Sequence, residues 1–107
     1  MEKWKTPEDV IRFDPKWVYL TKNLNAGIIL SQLLDPDFDI PRVTRGGVEW
    51  FVISYKDWLE FCVISRKKAQ KALKILEDMG IITRTYGKYN GSRTTHIKLN
   101  DTFKETL

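Results

Sequence analysis

The stretch SRKKAQKALKILEDM, residues 65–79, predicts the helix around which the rest of the chain is arranged. Ser65 can cap the free N–H groups of its first turn, and Gly80 suits the left-handed position that ends many helices. Lys68 occupies the position where a capping box needs Glu or Gln, so the cap is incomplete. Apolar residues recur every three or four positions and form one face, which is typical of a helix that packs on a core: Ala69, Ala72, Leu73, Leu76 and Met79.

The positive charge of the chain is concentrated in this region. The net charge of the 107 residues is +4, with a pI of about 9.2. Residues 66–98 hold nine Lys or Arg and two acidic residues, a net +7, whereas residues 1–65 carry a net −2. Such a local excess is the footprint that a polyanion partner requires, and a solvated charged surface is the plain alternative.

Composition predicts one domain with its own core and argues against several classes of protein. A length of 107 residues with 42% hydrophobic residues is enough for a core without disulfides or metal, and is not typical of disorder. No apolar run approaches the roughly 18 residues of a membrane span, and no signal-peptide pattern opens the chain. We therefore expect a cytoplasmic protein with no membrane partner.

The residues that could carry chemistry are few. Cys62 is the sole cysteine, so it excludes an internal disulfide and a cysteine zinc site and is expected to be buried. His96 is the sole histidine, expected on an outward strand position as a surface residue or phosphate contact. No other candidate metal ligand lies near His96 in the sequence, and the carboxylates lack the paired spacing of acid–base catalysis. We therefore expect no enzyme, metal or cofactor.

The first half of the chain predicts an arm, a buried helix and a loop. Residues 1–16 form an N-terminal arm with a short helix that begins at Thr6-Pro7 and stops at Pro15. WVYLT, 17–21, is expected to be extended. The helix that follows, Asn25–Leu34, is capped by Asn23 or Asn25 and should be the most buried, with Gly27 allowing close packing. Residues 35–47 are expected to be loop.

The second half predicts a strand, two helices and a hairpin. VEWFVI, 48–53, is a strand, and Ser54 with Asp57 caps a helix over 55–62. Val63-Ile64-Ser65 is a tight turn into the basic helix. Strand 81–86, loop 87–93 with Asn90-Gly91 at its tip, and strand 94–99 make a hairpin, and residues 100–107 are expected to fray. The core stripe of helix 55–62 is expected to contain Trp58, Leu59 and Cys62, with Phe61 left open.

A short helix joined by a tight turn to a longer one, with a hairpin after it, indicates a winged helix-turn-helix over residues 17–99. The expected class is mainly α with a small β-sheet (α+β): three core helices, a β-hairpin wing and the N-terminal helical arm. WFVISYKDWLEFCVISRKKAQKALKILEDMGIITRTYGKYNGSRTTHIKLN, 50–100, resembles the winged-helix domains of phage and plasmid replication initiators and replisome organisers. An aromatic-rich strand before a Trp-containing helix, a Ser-capped basic helix and a Thr-rich returning strand carry this resemblance. LNAGIILSQLL, 24–34, resembles the first helix of that family.

The resemblance implies double-stranded DNA binding in phage or plasmid replication initiation. Its L-E-x-x-G-I-I element, 76–82, is shared with winged-helix repressors, so a transcriptional regulator is the alternative. The N-terminal half of helix 65–79 is expected in the major groove, with Arg and Lys suited to guanine and Gln to adenine. The candidates on the helix are Arg66, Lys67, Gln70 and Lys71, with Lys74 as a phosphate contact. The basic wing, 86–94, offers Lys88, Tyr89, Asn90 and Arg93, and Arg84 on its first strand would serve phosphate.

A protein-interaction module is the rival of a different class. Aromatic residues exceed what a small core needs, and exposed aromatics are typical of partner surfaces. The sequence leaves open a homodimer and a partner protein of replication or transcription. The aromatic residues in question are Trp4, Trp17, Tyr19 and Trp50.

Overall fold

The computed structural model describes residues 13–107 and shows the expected α+β class in that part of the chain. The elements are α1 (Pro15–Thr21), α2 (Leu24–Leu34), β1 (Arg42–Arg45), β2 (Val48–Val52), α3 (Tyr55–Cys62), α4 (Arg66–Asp78), β3 (Ile82–Tyr89), β4 (Ser92–Leu99) and α5 (Asp101–Lys104). The helix expected from Thr6 lies outside the described residues. Within residues 13–107, no helix has both the length and the apolar character needed to cross a bilayer.

Helix α1 corrects the prediction that residues 17–21 are extended. The side chain of Asp14 accepts a hydrogen bond from the N–H of Lys16 at 3.0 Å, and Pro15 takes the first helical position. The fixed φ of proline suits that position, so Pro15 begins a helix here. The ring of Trp17 packs edge-on against Phe103, with centroids 5.7 Å apart. Cap and packing together outweigh the β preference of the residues between them.

Helix α2 confirms the predicted buried helix and the reason for its glycine. It begins at Leu24, and the side chain of Asn23 accepts from the N–H of Ala26 at 2.9 Å. A Cβ on Gly27 would lie 2.5 Å from Cγ2 of Val18 and 2.7 Å from its Cα. Helix α1 therefore crosses α2 at backbone contact, which only glycine at this position permits.

The sheet is antiparallel with strand order β1-β2-β4-β3, and its first strand was not predicted. Residues 42–45, expected to be loop, pair with β2 from Arg42↔Phe51 to Arg45↔Val48. Gly46 and Gly47 both have positive φ, as a two-residue hairpin turn requires. The two glycines therefore join strands here and do not mark an irregular loop.

The sheet has two faces, which we call the core face and the outer face. Phe51, Ile97 and Ile82 lie on the core face, since Phe51 pairs with Ile97 and Ile97 pairs with Arg84, two residues from Ile82. All three are buried in one cluster with apolar residues of α2, α3 and α4. The outer face is the opposite side, and it carries among others Trp50, Val52, Thr83, Thr85, His96 and Lys98.

Helix α3 confirms its predicted bounds and cap, but not all of its predicted core stripe. Ser54 and Asp57 form a complete capping box. Trp58 is fully buried and Cys62 nearly so, because positions four apart lie on one face. Leu59 lies on the flank of that face and is 51% exposed, so its assignment to the core is wrong.

The last residues also differ from expectation. Residues 101–104, expected to fray, form helix α5, and Phe103 is buried against the core. The side-chain amide of Asn100 donates to the carbonyl of Gly80 at 2.9 Å, and its Oδ1 accepts from the hydroxyl of Thr83 at 2.6 Å. These contacts fix the segment after β4 to the start of β3.

Candidate nucleic-acid interface

Helix α4 has the orientation that its sequence predicts. Ala69, Ala72, Leu73 and Leu76 are buried, at 1% exposure or less. Met79, expected on the same face, caps the helix and is 45% exposed, so its place in the core is wrong. The polar face is exposed to solvent along its whole length and comprises Arg66, Lys67, Lys68, Gln70, Lys71 and Lys74.

The first turn of α4 carries positive charges that reduce the stability of the helix. Arg66, Lys67 and Lys68 occupy the first turn, which contains no acidic residue. That end of a helix carries partial positive charge, so each cation there costs about 0.3–1 kcal/mol. The Ser65 side chain accepts from the N–H of Lys68 at 3.4 Å, a long hydrogen bond. An anion bound at this turn would relieve the repulsion.

Two of the predicted contacts already have partners inside the molecule. The Nζ of Lys74 lies 3.0 Å from a carboxylate oxygen of Asp78, one turn further along α4. Arg84 donates to Glu77 at 3.0 Å and its side chain is only 20% exposed. Burial alone lowers the pKa of Arg84, but the hydrogen bond to Glu77 raises it, and the net pKa is above the ordinary value. Arg84 therefore ties β3 to α4.

The hairpin β3–β4 places three of its cations, Arg84, Lys88 and Arg93, on the face toward α4. Arg84, Tyr86 and Lys88 alternate along β3 and share one face, and Arg84 contacts α4 through Glu77. Arg93 pairs with Lys88 directly across the ladder, so it lies on that face too. Like charges at directly opposite strand positions are destabilising. This second local excess of charge lies beside the first.

The tip of the hairpin is narrower than predicted. Residues 87–93 were expected to form a loop, but β3 continues to Tyr89 and β4 begins at Ser92. Asn90 and Gly91 alone make the turn, and both have positive φ as their sequence predicts. Tyr89 is partly exposed and Asn90 fully so. The hairpin therefore ends in a two-residue point.

A groove of about 510 Å³ separates the start of α4 from the hairpin and brings Arg66 and Arg93 together. The guanidinium of Arg66 lies 5.1 Å from the ring centroid of Tyr55, and that of Arg93 lies 4.8 Å from the ring centroid of Tyr86. Stacking of this kind holds an arginine in place while leaving its N–H groups free. No carboxylate lines the groove, whose walls are Ser54, Tyr55, Arg66, Tyr86, Arg93, Thr94 and Thr95.

Sequence reasoning did not single out Tyr55 and Tyr86. The available signal was their position: Tyr55 is the first residue of α3, the helix that leads into α4, and Tyr86 is two residues before Lys88 on the same strand face. Each tyrosine orients an arginine that the sequence did single out. They therefore belong to the candidate interface as positioning residues.

His96 is buried, so its prediction as a surface residue is wrong. It is 1% exposed, and neither ring nitrogen has a hydrogen-bond partner. A Cβ on Gly87 would lie 2.6 Å from the ring, and a guanidinium nitrogen of Arg45 lies 3.2 Å from that Cβ position. Burial lowers the pKa of His96, and the charge of Arg45 lowers it further. Arg45 belongs to β1, the opposite edge strand, so its side chain reaches across the outer face toward the hairpin.

The structure also gives the surroundings of Cys62 and of the side chains that could bind a metal. Cys62 is 4% exposed, and burial raises the pKa of its thiol to about 11, which keeps it protonated and unreactive. Between residues 13 and 107, no three His, Cys, Asp or Glu side chains lie where they could share a metal ion.

Comparison of the chain with protein-family models, curated proteins and solved structures found no match. The DNA contacts named from the sequence therefore stay predictions, and a function has to be argued from geometry and charge.

Proposed function

We propose that this chain is a winged helix-turn-helix domain that binds double-stranded DNA, with α4 as the recognition helix and β3–β4 as the wing. One observation carries the proposal: the exposed cationic face of α4 and the cationic hairpin lie on one side of the molecule, across a groove without carboxylates. A helix propped outward by an apolar face, with a basic hairpin beside it, has the dimensions to enter a major groove while the hairpin follows the backbone.

Within this proposal the residues divide by position. The exposed face of the first two turns carries Lys67, Gln70 and Lys71. Neither lysine has an ion-pair partner among residues 13–107. All three residues are the candidates for base edges. Arg66 and Arg93, held by their tyrosines, are suited to phosphates on either side of the groove. Lys74, already paired with Asp78, is left for phosphate.

The charge placement supports a polyanion partner over a merely solvated surface. Cations in the first turn of α4, and Lys88 opposite Arg93, both work against the stability of the isolated protein. A solvated surface would gain from acidic residues interspersed at these places, and none is present there. Phosphates supplied by DNA would reverse both penalties.

Binding to a mixed-sequence duplex, measured by fluorescence anisotropy over a range of salt, tests the proposal. On a mixed-sequence duplex, which offers no specific site, Lys67 and Lys71 would rest on phosphates and not on base edges. Lys67→Ala with Lys71→Ala should therefore weaken binding and flatten the log Kd against log salt plot by about 1.8, close to 0.9 per lost phosphate neutralisation. The matched control removes two exposed cations of α1 and its cap, as Lys16→Ala with Lys22→Asn, since Asn tolerates the left-handed conformation of residue 22. Equal slopes for all three proteins would overturn the groove assignment.

A role in phage or plasmid replication initiation is the narrower proposal. The resemblance of residues 50–100 supports it, while the shared element 76–82 keeps a transcriptional regulator as the alternative. Selection of bound fragments from the surrounding genome separates them. Enrichment of repeated sites within a replication origin supports the first role, and enrichment of promoter sites alone contradicts it.

The protein-interaction alternative now depends on one exposed surface. Trp17 and Trp50 are partly buried, and Trp4 lies outside the described residues. Tyr19 is 80% exposed, and Leu24 close to it in sequence is 56% exposed. A protein that uses this surface and not α4 should show no salt-sensitive duplex binding in the micromolar range, where nonspecific DNA affinity is expected.

A further inference from the structure

The outer face of the sheet carries a second group of cations, on the side away from α4. The guanidinium of Arg45 lies 5.2 Å from the ring centroid of Trp50, and the Nζ of Lys98 lies 5.5 Å from the same centroid. We call Arg45, Trp50 and Lys98 the tryptophan cluster. It comes from three strands, since Arg45 is on β1, Trp50 on β2 and Lys98 on β4.

Contacts within the described chain do not account for these two cations. Neither Arg45 nor Lys98 makes an ion pair with any residue from 13 to 107, whereas Arg42 on the same strand as Arg45 is paired with Glu49. Both cationic heads lie near one ring, so they repel each other. The ring holds both cations, and Arg45 also lies near His96. Such contacts at exposed sites are weak enough to exchange for a stronger anionic partner.

Two members of the cluster, Arg45 and Trp50, line a groove of about 490 Å³ with hydrogen-bonding walls, and Lys98 pairs with Thr83 of these walls. Thr83 and Thr85 line it together with Arg45 and Trp50, and none of its lining residues is acidic. His96, paired with Thr85 across the ladder, lies on this face with both ring nitrogens lacking partners. The face therefore combines an aromatic ring, hydroxyls and two unpaired cations.

We propose that the tryptophan cluster binds single-stranded nucleic acid, with a base stacked on Trp50 and adjacent phosphates held by Arg45 and Lys98. A recessed aromatic ring on a sheet can meet the face of an unstacked base, and this is how sheets bind single strands without reading sequence. A duplex buries the faces of its bases and presents only edges inside its grooves, so the ring could not reach them.

The binding step needs only side-chain movement. Arg45 and Lys98 would leave the ring for the phosphates, and the base would take the ring face that they vacate. The hydroxyls of the groove can accept or donate to base edges of any kind, so little sequence preference is expected. Because α4 packs on the core face, a single strand here and a duplex at α4 would occupy opposite sides of the sheet.

The test uses the full chain and a fluorescent oligothymidylate of roughly 20 nucleotides, a length that spans such a site. Arg45→Ala with Lys98→Ala should weaken its binding about tenfold at low salt and reduce the salt slope by about 1.4, close to 0.7 for each phosphate contact on a single strand. Trp50→Leu should weaken it at least about fivefold, from lost stacking. Duplex affinity should be unchanged in both variants.

The controls separate this proposal from that for duplex DNA. Lys67→Ala with Lys71→Ala should leave oligothymidylate binding intact, and so should Lys16→Ala with Lys22→Asn. Melting temperatures check that each variant is folded. If Trp50→Leu does not fold, the Arg45 and Lys98 variant still decides. Absence of oligothymidylate binding by the wild type, or equal loss in the α4 variant and the outer-face variant, would overturn the inference.

Discussion

Helices α3 and α4 follow each other directly, and both begin with a capping serine, yet their first turns are built in opposite ways. In α3 the carboxylate of Asp57 accepts from the N–H of Ser54 at 2.8 Å, and the serine accepts in return at 3.1 Å. In α4 the same position is Lys68, and only the serine side of the cap forms, at 3.4 Å. One helix supplies its own anion at the positive end of its dipole, and the other supplies cations.

The difference separates interactions that stabilise the fold from charges that would serve a binding partner. Helix α3 is positioned by its cap and by Trp58, and its start requires nothing from outside. Helix α4 is positioned by its buried face and by the ion pair of Glu77 with Arg84 near its end, whereas its first turn contains no acidic residue to stabilise it. We infer that the missing anion in α4 belongs to the ligand.

The largest effect on stability should come from the buried face that anchors α4 to the core. Leu73→Ala removes a side chain that is 1% exposed and leaves a cavity, so it should lower the free energy of unfolding by about 2–5 kcal/mol. Met79→Ala, at a residue 45% exposed, is the matched control and should change it by less than about 1 kcal/mol. Chemical denaturation measures both. Equal values would mean that α4 is not held by the face described.

The next effect tests the cap of α3. Asp57→Ala removes one hydrogen bond of the box, the one that the N–H of Ser54 donates to the carboxylate, while the backbone N–H of residue 57 can still donate to the Ser54 hydroxyl. It should cost about 1 kcal/mol of unfolding free energy. Lys68→Ala, at the same position of α4, should cost almost nothing or stabilise. A larger loss for Lys68→Ala than for Asp57→Ala would remove the contrast between the two helices.

Converting the start of α4 to that of α3 should move stability and binding in opposite directions. Lys68→Glu completes the capping box and should add about 0.5–1 kcal/mol to the unfolding free energy, while repulsion of phosphate weakens duplex binding. Lys68→Gln is the control, since glutamine can also complete the box without adding negative charge. Thermal melts and anisotropy titrations give the two readouts. Tighter duplex binding by the glutamate variant would contradict the role assigned to this turn.

The smallest effect concerns His96, a titratable side chain that the fold keeps uncharged. Burial and the charge of Arg45 lower the pKa of His96, so the unfolded chain binds a proton that the folded chain rejects. Stability from this group is therefore lost as the pH falls below the ordinary histidine pKa of about 6.5. The melting temperature of the wild type should drop more between pH of about 8 and about 5.5 than that of His96→Phe. Identical drops would show that His96 titrates normally.

The elements predicted correctly are those whose signals are local. Helix α3 has its cap and its i, i+4 stripe within eight residues, and α4 has its period, its serine and Gly80. The tip at Asn90-Gly91 is equally local. In each case the residues that determine the structure are neighbours in sequence, so the sequence alone was enough.

Helix α1 and strand β1 were missed although Asp14-Pro15 and Gly46-Gly47 are local signals for them, whereas other missed features depend on partners far along the chain. Helix α5 forms because Phe103 packs on Trp17, and no pattern near residue 103 announces that contact. His96 follows the expected alternation onto the outer face, but Arg45 from the opposite edge strand lies close to it. The candidate interface shows the same limit: its cations were predictable, whereas Tyr55 and Tyr86 and the internal partner of Arg84 were not.

Under the proposed function, the ion pair between Arg84 and Glu77 would have a consequence for the DNA shape that fits the protein. It joins the first strand of the hairpin to the last turn of α4, so the distance between helix and hairpin is set before any duplex arrives. A duplex then has to present a groove and a flanking backbone of matching width. Sequences that bend or narrow easily would be favoured even where no side chain touches a base, which is indirect readout imposed by the rigidity of the protein.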